Sequence, residues 1–169
     1  VRHAGPRNND DLKTIAKTMD APDPSGSGAP AIERIDENRV RIGRIVVDKA
    51  KKQVEVEGAV NMTEGILEYY SVGPMGKVHE SVLIYHGLAS QVHLGLLLLG
   101  LEPKRRGGPK VKLTVQWKDR KSGEMRQAPA SSWLMNRATN TVSGPVNWRF
   151  RGSGFFNGRY AGDSAHTLV

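Results

Sequence analysis

From Ile32 onward the chain alternates apolar and polar residues in short runs broken by Gly, Pro and charge. Gln53 to Asn61 is the clearest of them. Val54, Val56, Gly58 and Val60 fall on one face, with Gln53, Glu55 and Glu57 on the other; that period of two marks a half-buried antiparallel strand. Upstream, Val40 and Ile42 share a parity that Ile45 and Val47 reverse. Gly43 sits at the switch, which reads as a β-bulge within one strand over residues 39–48. Ala50-Lys51-Lys52 turns the chain. Gly65 to Val72 and Lys77 to His86 read as a strand pair joined across Gly73-Pro74-Met75-Gly76, a strong hairpin-turn sequence.

Leu88 to Leu101 has no Pro, and its leucines recur at helical spacing. Such a helix is apolar nearly all round, so it belongs in the core against the sheet, ended by Gly100 or by Arg105-Arg106-Gly107-Gly108. Val111, Leu113, Val115 and Trp117 then alternate with Lys112, Thr114, Gln116 and Lys118. Asp119 to Gly123 reads as a hairpin loop and Glu124 to Ala128 as the returning edge strand. Ser131 to Asn136 fits a short capped helix. Residues 146–151 and 158–161 fit two further strands. Strands, one helix, then more strands predict an α+β fold: a mostly antiparallel β-sheet with one core apolar helix, about residues 88–101, packed on it.

Residues 1–31 differ in character. Ala21 to Pro30 is rich in Pro, Gly and Ser, a linker composition that buries too little area to offset the entropy of ordering. Asp10 to Met19 fits one short helix. A flexible N-terminal tail over 1–31 and a single domain over 32–169 are expected. The chain opens on Val1, as a processed or partial chain would.

The 169 residues are 38% hydrophobic and 25% charged, enough for one sizeable core. There is no cysteine, which excludes disulfides, thiolate metal sites, iron–sulfur clusters and cysteine nucleophiles. No apolar run approaches the roughly 18 residues of a membrane span. Net charge is +8, and the surplus lies wholly after residue 31. A surface of that sign attracts anionic polymers or lipids and also serves plain solubility.

The run Val60-Asn61-Met62-Thr63-Glu64-Gly65-Ile66-Leu67-Glu68-Tyr69-Tyr70, the run Gly76-Lys77-Val78-His79-Glu80-Ser81, the run Leu96 to Gly100, and the run Trp148 to Tyr160 together resemble the YdjY-type domain over roughly residues 40–169. The resemblance implies a bacterial domain common in exported proteins. It carries over no catalytic residue. Some proteins named with the family are associated with ferredoxin-type clusters, which a chain without cysteine cannot hold.

The candidate chemistry is a polar set threaded through this segment: Glu64, Glu68, His79, Glu80, His86 and His93. If Lys77 to His86 is one strand, parity sends His79 and Glu80 to opposite faces, and Glu80, on the more apolar face, is the better candidate for a perturbed carboxylate. Glu80, His86 and His93 would make a metal shell only if the helix folded back over Glu80, and their spacing matches no compact metal motif. Glu64 and Glu68 lie in one local stretch, so they do not flank a cleft as glycosidase carboxylates do. Gly152-Ser153-Gly154 lacks the context of a nucleophile elbow. Lys104, Arg105, Arg106 and Lys110 form a basic cluster suited to anions, but Trp117 has the wrong parity to stack beside Lys112.

These readings favour a non-enzymatic interaction or ligand-binding module of an exported bacterial protein, with no cofactor. Its expected partner is another protein or a cell-envelope component rather than nucleic acid. The alternatives are a metal-dependent or carboxylate-based hydrolase using Glu80, His86 and His93, and an anion-binding surface for polysaccharide or nucleic acid.

Overall fold

A computed structural model describes residues 32–104, 106–157 and 159–168. The expected tail over residues 1–31 and the candidate Arg105 lie outside the described residues. The architecture is α+β, mostly antiparallel, with one main helix. The chain separates into two compact units, one formed by residues up to Leu101 together with those from Ser153 onward, the other by Glu102–Gly152.

The first unit begins with a four-stranded antiparallel meander: β1 (Ile32–Arg34), β2 (Arg39–Ile42), β3 (Ile45–Asp48) and β4 (Gln53–Val56). The parity switch at Gly43 is a hairpin, not a bulge. Ile42 pairs directly with Ile45, so Gly43 and Arg44 are a two-residue loop. Gly43 has a φ of 55°, at the loop position where a positive φ calls for glycine. Reversal rather than bulging is why Ile42 and Ile45 both point inward, each fully buried.

The alternating run 53–61 also divides. After β4 the chain bends at Glu57 and β5 (Gly58–Val60) joins a second sheet, ordered β5, β7 (Ser81–Tyr85), β6 (Tyr69–Val72). In that sheet β5 and β7 are antiparallel, whereas β6 and β7 are parallel. The hairpin expected between them is therefore absent. The Gly73–Gly76 turn does form, with the Gly76 amide donating to the Gly73 carbonyl at 2.9 Å. A 3-10 turn over Val78–Glu80 then redirects the chain, so β7 enters the sheet alongside β6 in the same sense.

The main helix, α1, spans Ala89–Leu98 and stops at Leu99, with Gly100 following at a φ of 82°, the left-handed conformation that ends many helices. It packs on β3 and β4, where Val92, Leu94 and Leu99 cover Ile42, Ile45 and Val47. Gly95 makes the close approach possible. A Cβ there would lie 3.0 Å from Ile45 Cδ1, 3.0 Å from Val47 Cγ2 and 3.2 Å from Val54 Cγ2. Its burial is less even than expected, since Leu97 and Leu98 face outward. The unit closes with a small hairpin of β12 (Phe155–Phe156) and β13 (Arg159–Tyr160), then a short helix α2 (Ala161–Ser164).

The Glu102–Gly152 unit carries the hairpin of β8 (Thr114–Lys118) and β9 (Met125–Pro129), paired from Thr114–Pro129 to Lys118–Met125. Its loop is held by Asp119, whose carboxylate accepts from the Lys121 and Ser122 amides. Trp117 and Trp133 meet edge to face at 5.5 Å. The stretch 131–136 is a 3-10 turn over Ala130–Trp133 followed by β10 (Met135–Asn136), which pairs β11 (Thr141–Val142). The strand expected over 146–151 shrinks to one bridge, Lys110 with Arg149, extended by the Val111 amide to Trp148 and the Phe150 amide to Pro109.

Candidate functional site

The Lys77–Ser81 run is a 3-10 turn leading into β7, so the strand parity that would set His79 and Glu80 on opposite faces does not apply. They are neighbours, with His79 Nε2 3.5 Å from Glu80 Oε1. Asn61, just after β5, holds this turn. Its side-chain amide donates to the Val78 carbonyl and, at 3.0 Å, to the Ser81 carbonyl. The Glu68 amide donates to the Glu80 carbonyl at 3.0 Å, which brings the two glutamates onto one patch.

Lys77 bridges them. Its Nζ lies 2.8 Å from Glu68 Oε2 and 3.3 Å from Glu80 Oε2, and 5.5 Å from the centre of the Tyr69 ring. The hydrogen bond from Lys77 holds the Glu68 carboxyl below its ordinary value, and the Glu68 and Glu80 carboxylates raise Lys77. Glu68, Lys77 and His79 are well exposed, and Glu80 is half-buried. Such a network is screened by water, and each pair contributes little to stability. Sequence reasoning passed over Lys77, although it is the first polar residue of the same run; Glu64 stands apart from the patch, exposed and in no ion pair among the described residues.

The histidines serve elsewhere. His86 ends β7, its amide donating to the Glu57 carbonyl at 2.7 Å. Its Nε2 is buried without a hydrogen-bond partner among the described residues. Burial, and then the nearby Arg44 charge, lowers its pKa. His93 lies on α1, with Nδ1 2.7 Å from the Tyr160 hydroxyl and the rings edge to face at 5.3 Å. Burial lowers His93 and raises Tyr160, while a hydrogen bond from the Ser153 backbone opposes the rise in Tyr160. Both partners of the His93–Tyr160 bond thus favour their neutral forms.

Glu80, His86 and His93 therefore belong to three separate settings. Among the described residues no three His, Asp or Glu side chains come together as a metal shell. Two surface hollows, of about 450 Å³ beside Asp36 and Asp48 and about 750 Å³ beside Phe156 and Arg159, contain none of the candidate residues.

Two side chains, one of them from far along the chain, complete the start of α1. The Asp163 carboxylate accepts from the Ser90 amide at 2.8 Å, satisfying a free donor of the first turn with a favourable charge. Gln91, buried, accepts from the Leu88 amide at 3.2 Å. Leu88 itself has no side chain able to cap, so these two carboxyl and amide oxygens do the capping.

The basic cluster lies in the Glu102–Gly152 unit. Lys104, Arg106 and Lys110 are exposed, as is Lys112, and none has an ion pair among the described residues. Arg149 donates from Nη1 to the carbonyls of Gly107 and Gly108, at 2.5 and 2.9 Å, shaping the loop that carries them. The unit's only acids are Glu102, Asp119 and Glu124, against 12 Lys and Arg, so it carries +9 and the rest of the +8 chain sums to −1. Asp119 is already paired with Arg126 at 3.1 Å.

What these features define is an α+β domain whose polar residues organise a turn and an ion network. The YdjY domain model matches residues 45–165, and the chain belongs to that family. No curated protein and no solved structure matches it.

Proposed function

We propose that this YdjY domain is a non-enzymatic binding module of an exported bacterial protein, and that the 102–152 unit engages an anionic partner of the cell envelope. The observation that carries the reading is the charge distribution: 12 Lys and Arg against three acids. Lys110 and Arg149 sit directly across an antiparallel bridge. Like charges opposite one another in a strand pair are destabilising, and an anion bound against them offsets that repulsion. A field of one sign also speeds the approach of an oppositely charged ligand.

Retention of the full chain on heparin, a sulfated polysaccharide, across a salt gradient tests the reading. The expected result is retention at physiological ionic strength, lost steadily as salt screens the contacts. Changing Lys104, Lys110 and Lys112 together to Gln should bring elution to lower salt. Elution in the void at about 0.1 M salt, where the screening length is still about 10 Å, would overturn it. Export is tested separately, by fractionating cells that make the full-length protein.

A further inference from the structure

The β12–β13 hairpin exposes two adjacent aromatic rings. Phe155 is 77% and Phe156 75% exposed, and they are among the most exposed large apolar side chains of the molecule. The register pairs Phe155 with Tyr160 and Phe156 with Arg159. Phe155 and Tyr160 thus share one face of the ribbon, and Phe156 and Arg159 the other. Tyr160 is buried, its ring meeting Phe155 edge to face at 5.5 Å. Single exposed apolar residues need no explanation, but two neighbouring exposed Phe rings on opposite faces of one ribbon do.

Beside Phe156 lies the hollow of about 750 Å³ lined by Phe156, Asn157, Arg159, Ala161, Ser164 and Ala165. Arg159 has no ion pair among the described residues. The Asp163 carboxylate, the acid nearest in sequence, is engaged with the Ser90 amide. The hollow therefore offers a cation next to an exposed ring.

We propose that the β12–β13 hairpin is a membrane-interface anchor, with Phe155 and Phe156 entering the boundary between headgroups and acyl chains and Arg159 meeting an anionic lipid phosphate. Two considerations select lipid over a protein surface. A flat partner covers one face of a ribbon, whereas a fluid interface surrounds both. The pairing of apolar rings with an adjacent cation, Arg159 opposite Phe156, is the combination that binds anionic leaflets. This anchor is independent of the polyanion reading of the 102–152 unit.

Sedimentation of the full chain with phosphatidylcholine vesicles, with and without phosphatidylglycerol, tests it. Binding to the anionic vesicles is expected. The Phe155→Ser/Phe156→Ser pair should lower the partition coefficient by about 10-fold or more, while the Phe155→Leu/Phe156→Leu pair stays within about 3-fold of wild type, since burial of apolar area is what drives entry. Arg159→Gln should cost about 5-fold, the effect of one cation near an anionic surface. Both rings are mostly exposed, so the variants should stay folded, with only the small fall in melting temperature that loss of the Phe155–Tyr160 edge contact brings, and heparin retention should be unchanged by the Phe substitutions. The proposal is overturned if wild type ignores anionic vesicles, if the Ser pair partitions like wild type, or if the Ser pair instead abolishes a dimer that forms without lipid.

Discussion

His93 Nδ1 and the Tyr160 hydroxyl are 2.7 Å apart, a bond that ties the main helix to a hairpin 67 residues later. Removing the hydroxyl alone tests its weight. Tyr160→Phe keeps the ring contact but removes the hydroxyl that meets His93 Nδ1. A loss of about 0.5–1.5 kcal/mol is expected, the usual net contribution of one hydrogen bond. Urea unfolding measures it, and a double-mutant cycle with His93→Leu should show coupling.

The two histidines of the fold set the sign of an acid response. Burial lowers both His86 and His93 below the ordinary 6.5, so the unfolded chain binds protons more readily than the native one. Stability is fully present above pH 6.5 and is lost as pH falls through the native values. Unfolding free energy measured at pH 7.5, 6 and 5 should decline stepwise. In His86→Gln/His93→Gln that part of the slope should disappear.

Asn61 supports the 3-10 turn through two carbonyls at once. Asn61→Ala leaves the Val78 and Ser81 carbonyls without that donor and should cost about 1–3 kcal/mol. Thermal melts of the variant check the cost. Amide exchange should rise first at residues 78–81.

Lys77→Met should change stability by less than about 1 kcal/mol, since its pairs are exposed, yet alter titration clearly. With the cation gone, the Glu68 carboxyl should return upward to its ordinary range. Carboxyl NMR titration of both proteins reads that shift directly.

Gly95→Ala sets helix propensity against packing. Alanine favours the helix by about 1 kcal/mol, but the new methyl meets three branched side chains at 3.0–3.2 Å. Ile45 and Val47 are fully buried and have little room to move. Overpacking of this kind costs about 1–3 kcal/mol, so net destabilisation of about 1 kcal/mol is expected in denaturant titration.

These relationships differ in how far they can be seen in sequence. The β8–β9 hairpin and the apolar helix are local: alternation around Val115 and Trp117, the Asp119–Gly123 loop, and leucines at helical spacing encode them directly. The YdjY signature was likewise readable as a set of spaced runs. The β6–β7 pairing was not, because Gly73 to Gly76 specifies a reversal without specifying which strand pairs afterward. Alternating Val78, Val82 and Ile84 conceal a 3-10 turn, so parity misplaced His79 and Glu80. At Gly43 the opposite happened, and a true parity change was read as a bulge because a two-residue hairpin produces the same pattern. Asp163 reaching Ser90 spans 73 residues, and no periodicity records it.

The late segment completes the early one at three points. Asp163 caps α1, Tyr160 binds His93, and the Gly73 amide donates to the His166 carbonyl at 2.7 Å while Val72 bridges Thr167. During synthesis, residues 32–101 emerge from the ribosome well before any of these partners exists, with all of residues 102–152 still to be made. The first unit must therefore wait, with the start of α1 uncapped and the edge beside Val72 open, until residues 160–167 arrive. Nascent-chain protease protection should show this as a late gain in resistance, after residue 167 clears the exit tunnel rather than after residue 101 does.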